Sequence, residues 1–124
     1  MTIDSLRDAI ASALDCDPRL TFFESGVPGA KGVRLRRYVD RSGRPIGHEH
    51  TLTTQQNLWV RRDDVRLSRV GDIPHVLKTA NELSDYDSAN SNLFAVEAFR
   101  NRDLIRFKIT DVSQALRVLS EVLG

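Results

Sequence analysis

The chain has 124 residues, 40% of them hydrophobic and 28% charged, with a formal net charge of +1 and a single cysteine, Cys16. That composition excludes a disordered chain and an intramolecular disulfide, and it allows one compact domain over residues 1–124. No apolar run approaches the ~20 residues that span a bilayer, and the N-terminus has no basic and apolar leader pattern, so a cytoplasmic protein without a membrane partner is expected.

The near-zero net charge hides a segregation. Residues 31–70 hold ten Lys/Arg against four Asp/Glu, while both flanking regions are net acidic. Nine of the ten are arginine. A local cationic field attracts polyanions whatever the net charge, and arginine binds phosphate or carboxylate bidentately.

In chain order, Leu6, Ala9, Ile10, Ala13 and Leu14 recur at helical spacing, which predicts a helix over 5–14 that ends before Pro18. Leu20 to Phe23 is a short strand. A loop with Gly26, Gly29, Gly32 and Lys31 follows. It lacks the spacing of a nucleotide-binding P-loop, and a strand rather than a helix follows it. Val33, Leu35 and Val39 alternate with Arg34, Arg36 and Tyr38, which predicts a half-buried strand with a basic outer face, interrupted by Arg37. The turn 40–45 leads to a second strand over 46–52. Further strands are expected at 58–60 and 65–70, with a turn at Asp63 and Asp64.

Pro74 suits the first turn of a middle helix whose apolar face would be Val76, Leu77, Ala80 and Leu83. Residues 84–92 read as a polar loop. Leu93 to Phe99 and Leu104 to Ile109 flank Arg100-Asn101-Arg102-Asp103 and predict a hairpin. Thr110 or Asp111 caps a last helix striped by Val112, Ala115, Leu116, Leu119, Val122 and Leu123. The order α-β-β-β-β-β-α-β-β-α predicts an α+β fold, a mainly antiparallel sheet of about five to seven strands with N-terminal, middle and C-terminal helices packed on it.

The function class that follows is a non-enzymatic binding module for an anionic partner, foremost the backbone of DNA or RNA. Arg34, Arg36, Arg41, Arg44, Arg61 and Arg62 are the candidate phosphate contacts, and Trp59 or Tyr38 the candidate stacking surface. Trp59 lies between Leu58 and Val60, which also suits a core position. The competing account is a solvated sheet face whose arginines pair with the chain's own acids. A protein-interaction module is a further alternative, with an acidic protein or a second copy of this chain as partner.

A third class is a small ribonuclease or metal-dependent hydrolase built on His48 and His50, which fall on one side of a strand. No third ligand sits at a recognised spacing, so no metal site is assigned, and no cofactor is implied. Carboxylates such as Asp63, Asp85, Asp87 and Glu97 match neither a nuclease pattern nor a calcium loop. Cys16, between Asp15 and Asp17, is a poor nucleophile because negative neighbours disfavour the thiolate.

Overall fold

The computed structural model describes residues 3–23, 35–50, 55–80 and 97–124. The expected glycine-rich loop, Arg34, Leu83 and the polar loop 84–92 lie outside the described residues.

Helix α1 (Ile3–Asp15) forms where Leu6, Ile10 and Leu14 fall one above another, and all three are buried. A meander follows through β1 (Leu20–Phe23), β2 (Leu35–Asp40), β3 (Pro45–Glu49) and β4 (Gln56–Arg61). The β2–β3 turn is built by Asp40, whose carboxylate accepts the backbone N–H of Ser42 and of Arg44, both at 2.8 Å. Gly43 sits there at φ 85°, a conformation that costs glycine little. A 3-10 turn (Arg62–Asp64) and the short helix α2 (Leu67–Val70) lead to β5 (His75–Lys78). A second 3-10 turn (Glu97–Phe99), β6 (Leu104–Ile109) and α3 (Val112–Leu123) complete the described chain.

The six strands form one antiparallel-paired sheet in the order β1-β2-β3-β4-β6-β5, so β6 enters between β4 and β5. This is the α+β arrangement expected, with helices at the N-terminus, middle and C-terminus. Cross-strand register defines the two faces. Tyr38, Ile46, Val60 and Ile105 form one row, and His48, Leu58 and Phe107 the next. Their face carries α1 and α3, and the main core closes there with Ala115, Val118, Leu119 and Val122 of α3. The opposite face holds a smaller cluster of Leu35, Trp59 and Leu104, covered by Phe99 from the second 3-10 turn. Among the described residues no helix is long and apolar enough to cross a membrane.

Four local expectations are corrected. On β2 the parity is reversed: Tyr38, expected outside with Arg36, is 1% exposed in the main core, and Leu35 and Arg37 point to the other face. Both faces are covered at β2, so alternation does not tell inside from outside. The stretch 65–70 is not a strand; Leu67–Val70 is helical, with Val65 and Val70 buried. The helix expected from Pro74 is β5, because the carbonyl of Pro74 accepts from the Lys108 N–H (2.7 Å) and His75 to Lys78 pair with β6. Asp72, just before β5, accepts from Arg117 of α3 at 2.7 and 2.8 Å. The expected hairpin partner of β6 is absent among the described residues, since β4 and β5 take both its edges and residues 97–99 form a 3-10 turn.

Asp111 caps α3 as expected, accepting from the backbone N–H of Ser113 (2.8 Å) and Gln114 (3.2 Å). Asp111→Ala removes the acceptor for two otherwise unpaired N–H groups. It is expected to cost about 1 kcal/mol in chemical denaturation, with little change in the denaturant slope.

Candidate anion-binding site

The described arginines among those singled out in the sequence divide between the two ends of the sheet. At one end, where β2 begins and β3 finishes, Arg36 is tied to helix α1. Its Nη2 donates to both carboxylate oxygens of Asp15 (3.0 and 3.1 Å), and its Nε donates to the Tyr38 hydroxyl (3.1 Å). The Tyr38 hydroxyl donates in turn to Asp15 (2.5 Å). Burial and the bond to Asp15 push the Tyr38 phenol up to about 12. Phe22 packs edge-on against Tyr38 and under the Arg36 guanidinium. These groups satisfy one another and fasten α1 to β1 and β2. Tyr38 offers no free face to a base, while Arg36, its side chain 36% exposed, uses Nε and Nη2 in these bonds.

Beside them His48 is fully enclosed. Its Nε2–H donates to Oε1 of Gln56 (2.8 Å), and its Nδ1 has no hydrogen-bond partner. Burial, with the positive charge of His50 and Arg36 nearby, holds the ring's pKa down at about 4, against the opposing pull of Gln56 and Asp15. The His50 ring centroid is 6.0 Å away. An imidazole closed off from solvent offers no acid–base surface to a substrate. Among the described residues no group of three or more His, Cys, Asp or Glu could hold a metal ion.

Trp59 lies on the face away from the helices and is 5% exposed. Its indole N–H donates to Oε1 of Glu49 (2.6 Å), and the Arg106 guanidinium stands 5.8 Å from its ring centroid. It is a core residue of the smaller cluster, which removes it as a stacking platform.

The other end of the sheet gathers the remaining candidates. The β2–β3 turn carries Arg41, which is exposed, and Arg44, whose Nη1 donates to the carbonyl of Val122 (2.9 Å). The register of β3 on β4 sets this turn at the same end as Arg61 and Arg62, two strands across. Arg61 is held by Asp64, with Nε donating at 2.7 Å and Nη2 at 3.0 Å. Two of its five N–H groups are thereby used, and three stay free to donate elsewhere.

The insertion of β6 brings a further group here that the basic block did not contain. Arg61 pairs with Leu104 across the ladder, and the Arg62 N–H donates to the carbonyl of Asp103 (2.9 Å). The turn 100–103 therefore packs alongside the end of β4. Asn101 in that turn is left-handed, φ 57°, a conformation asparagine tolerates better than most residues. Arg61, Ala98, Arg100, Asn101 and Arg102 line a cleft of about 580 Å³. Arg100 and Arg102 are exposed, and Arg102 belongs to none of the ion pairs among the described residues. Sequence reasoning passed over Arg100 and Arg102 as hairpin-turn residues. The visible signal was a pair of arginines flanking an asparagine.

Many other cations are neutralised within the chain. Arg7 pairs with Asp4, Arg19 with Asp17, Arg66 with Glu121 and Arg117 with Asp72. The competing account from the sequence therefore holds for much of the charge, though such exposed pairs add little stability. No protein-family model, curated protein or solved structure matches this chain.

The enclosed His48 generates a pH dependence. Its pKa is about 4 in the fold against an ordinary 6.5, so the neutral ring contributes stability that is fully present above pH 6.5 and is lost as pH falls from there toward 4. Lowering the pH from 7 to 5 is expected to remove about 2 kcal/mol through this group. His48→Gln keeps a hydrogen-bonding partner for Gln56 without a titrating ring. Urea midpoints measured at both pH values should fall for the natural chain and change much less for the variant.

Proposed function

We propose that the protein is a non-catalytic module that binds an anionic partner, the backbone of single-stranded nucleic acid, at the sheet end that carries Arg61, Arg62, Arg100 and Arg102. The observation that carries this reading is the cleft lined by three arginines. Guanidinium groups gathered in a concavity favour phosphate oxygens more than the same groups scattered on a convex surface, because several forks reach one anion. Arg41 and Arg44, at the same end, extend the cationic surface beyond the cleft.

The contact area is local. Arg36, Arg66 and Arg117 do not line the cleft and are paired with Asp15, Glu121 and Asp72, so they do not extend it into a phosphate track. Neutralising about three phosphates on a single strand gives a slope of log K against log salt near −2, whereas a six-arginine track would give about −4. The protein-interaction reading draws less support, because among the described residues the exposed large hydrophobics Phe22, Leu77 and Leu116 stand on the two opposite sheet edges and on α3.

Fluorescence anisotropy with a labelled single-stranded oligonucleotide, across a range of salt, tests the proposal. A slope near −2 is expected, and Arg100→Ala/Arg102→Ala should weaken binding at low salt by about tenfold or more. Arg61 is left in place so that Asp64 keeps its partner. Arg36→Ala should leave the affinity unchanged. Absence of binding at low salt, or equal loss in the Arg36 variant, would contradict the proposal.

A further inference from the structure

Asn101 lines the cleft between Arg100 and Arg102. Its backbone is left-handed, φ 57°, where glycine is the unstrained choice, as at Gly43 in the β2–β3 turn. Asparagine is tolerated at such a position through a hydrogen bond from its side chain to its own turn. Asn101 makes no such bond: among the described residues its carboxamide has no hydrogen-bond partner. The turn is held instead by the Arg62 N–H donating to the Asp103 carbonyl and by the Ala80 N–H donating to the Asp103 carboxylate, both at 2.9 Å. The fold therefore leaves this carboxamide unused at the wall of a cavity of about 580 Å³, within the roughly 300–1,000 Å³ of sites that hold one small ligand.

The guanidinium groups of Arg61, Arg100 and Arg102 only donate, and Ala98 neither donates nor accepts through its side chain. Oδ1 of Asn101 is thus the one side-chain acceptor among the described residues that line the cleft. A phosphodiester brings acceptors alone and leaves that oxygen without a donor. An unpaired base brings a donor beside an acceptor on its Watson–Crick edge, and a carboxamide meets both with two parallel hydrogen bonds. In a duplex that edge is already taken. The planar guanidinium fork also stacks on a base. Resting on the reading of the protein as a module for single-stranded nucleic acid, we infer that the cleft holds one unpaired base, its Watson–Crick edge paired by the Asn101 carboxamide, with the flanking phosphates on the arginines around it. All four bases carry a donor beside an acceptor on that edge, so the contact selects single strand over duplex and does not select sequence.

The test compares two single strands of equal length and equal phosphate number, one with ordinary bases and one abasic at every position, by competition against a labelled strand. The strand with bases should bind about tenfold or more tightly. Asn101→Gly keeps the left-handed turn and removes the carboxamide, and it should lower that ratio by about fivefold or more. Equal affinity of the natural chain for the two strands overturns the base pocket and leaves the phosphate-binding module standing. Binding of neither strand overturns the module as well. A preference for bases that Asn101→Gly leaves intact overturns the assignment of the edge contact to Asn101.

Discussion

The pairing of β4 with β6 is the constraint on which the rest of the molecule depends. Six register pairs, from Gln56 with Ile109 to Arg61 with Leu104, join segments more than forty residues apart in sequence. That ladder sets Val60 against Ile105 and Leu58 against Phe107, the centre of the core that α1 and α3 cover. Its last pair carries the ladder to the sheet end and docks the turn 100–103 against Arg61 and Arg62. The same backbone bonds that close the core therefore assemble the arginine cleft. The closure entropy of so long a connection is offset by burying both sides of β4, with Trp59 under Phe99 on one face and Leu58 and Val60 under the helices on the other.

Charge gathers in two separate places in this chain. Toward the C-terminal end of α1, Asp15, Arg36 and Tyr38 satisfy each other at the edge of the core, and the cationic group serves attachment of the helix. At the far end of the sheet the arginines gather around a cavity. Arg61 shares both features, since Asp64 fixes its orientation and leaves part of its fork outside that pair. Orienting the guanidinium before a ligand arrives lowers the conformational entropy lost on binding.

The sequence made the two long helices legible because their apolar stripes recur over three turns, and Asp111 before Val112 is a strong start signal. The β2–β3 hairpin was legible through Asp40 and Gly43. Residues 65–80 were misread because stretches this short fit a helical and an alternating pattern equally well; the open edge of β6 decided the matter for His75 to Lys78. Tyr38 reads as outward because it alternates with Leu35 and Val39, whereas its ring fills the core and its oxygen reaches Asp15. The basic block takes in Arg61 and Arg62 at the cleft end of the sheet. Arg100 and Arg102 lay beyond that block, and only the insertion of β6 between β4 and β5, a long-range event with no local signature, brings them to the same place.

The central claim is that anion binding resides at the cleft end of the sheet and not at the Arg36 end. The most direct measurement is an amide and arginine side-chain NMR titration with a short single-stranded oligonucleotide. The expected result is a set of shift changes centred on residues 61–62 and 98–103, with smaller changes at 41–44 and none at Asp15, Arg36, Tyr38 or His48. Changes centred on Arg36 and Asp15, or spread evenly over the surface, would contradict the account.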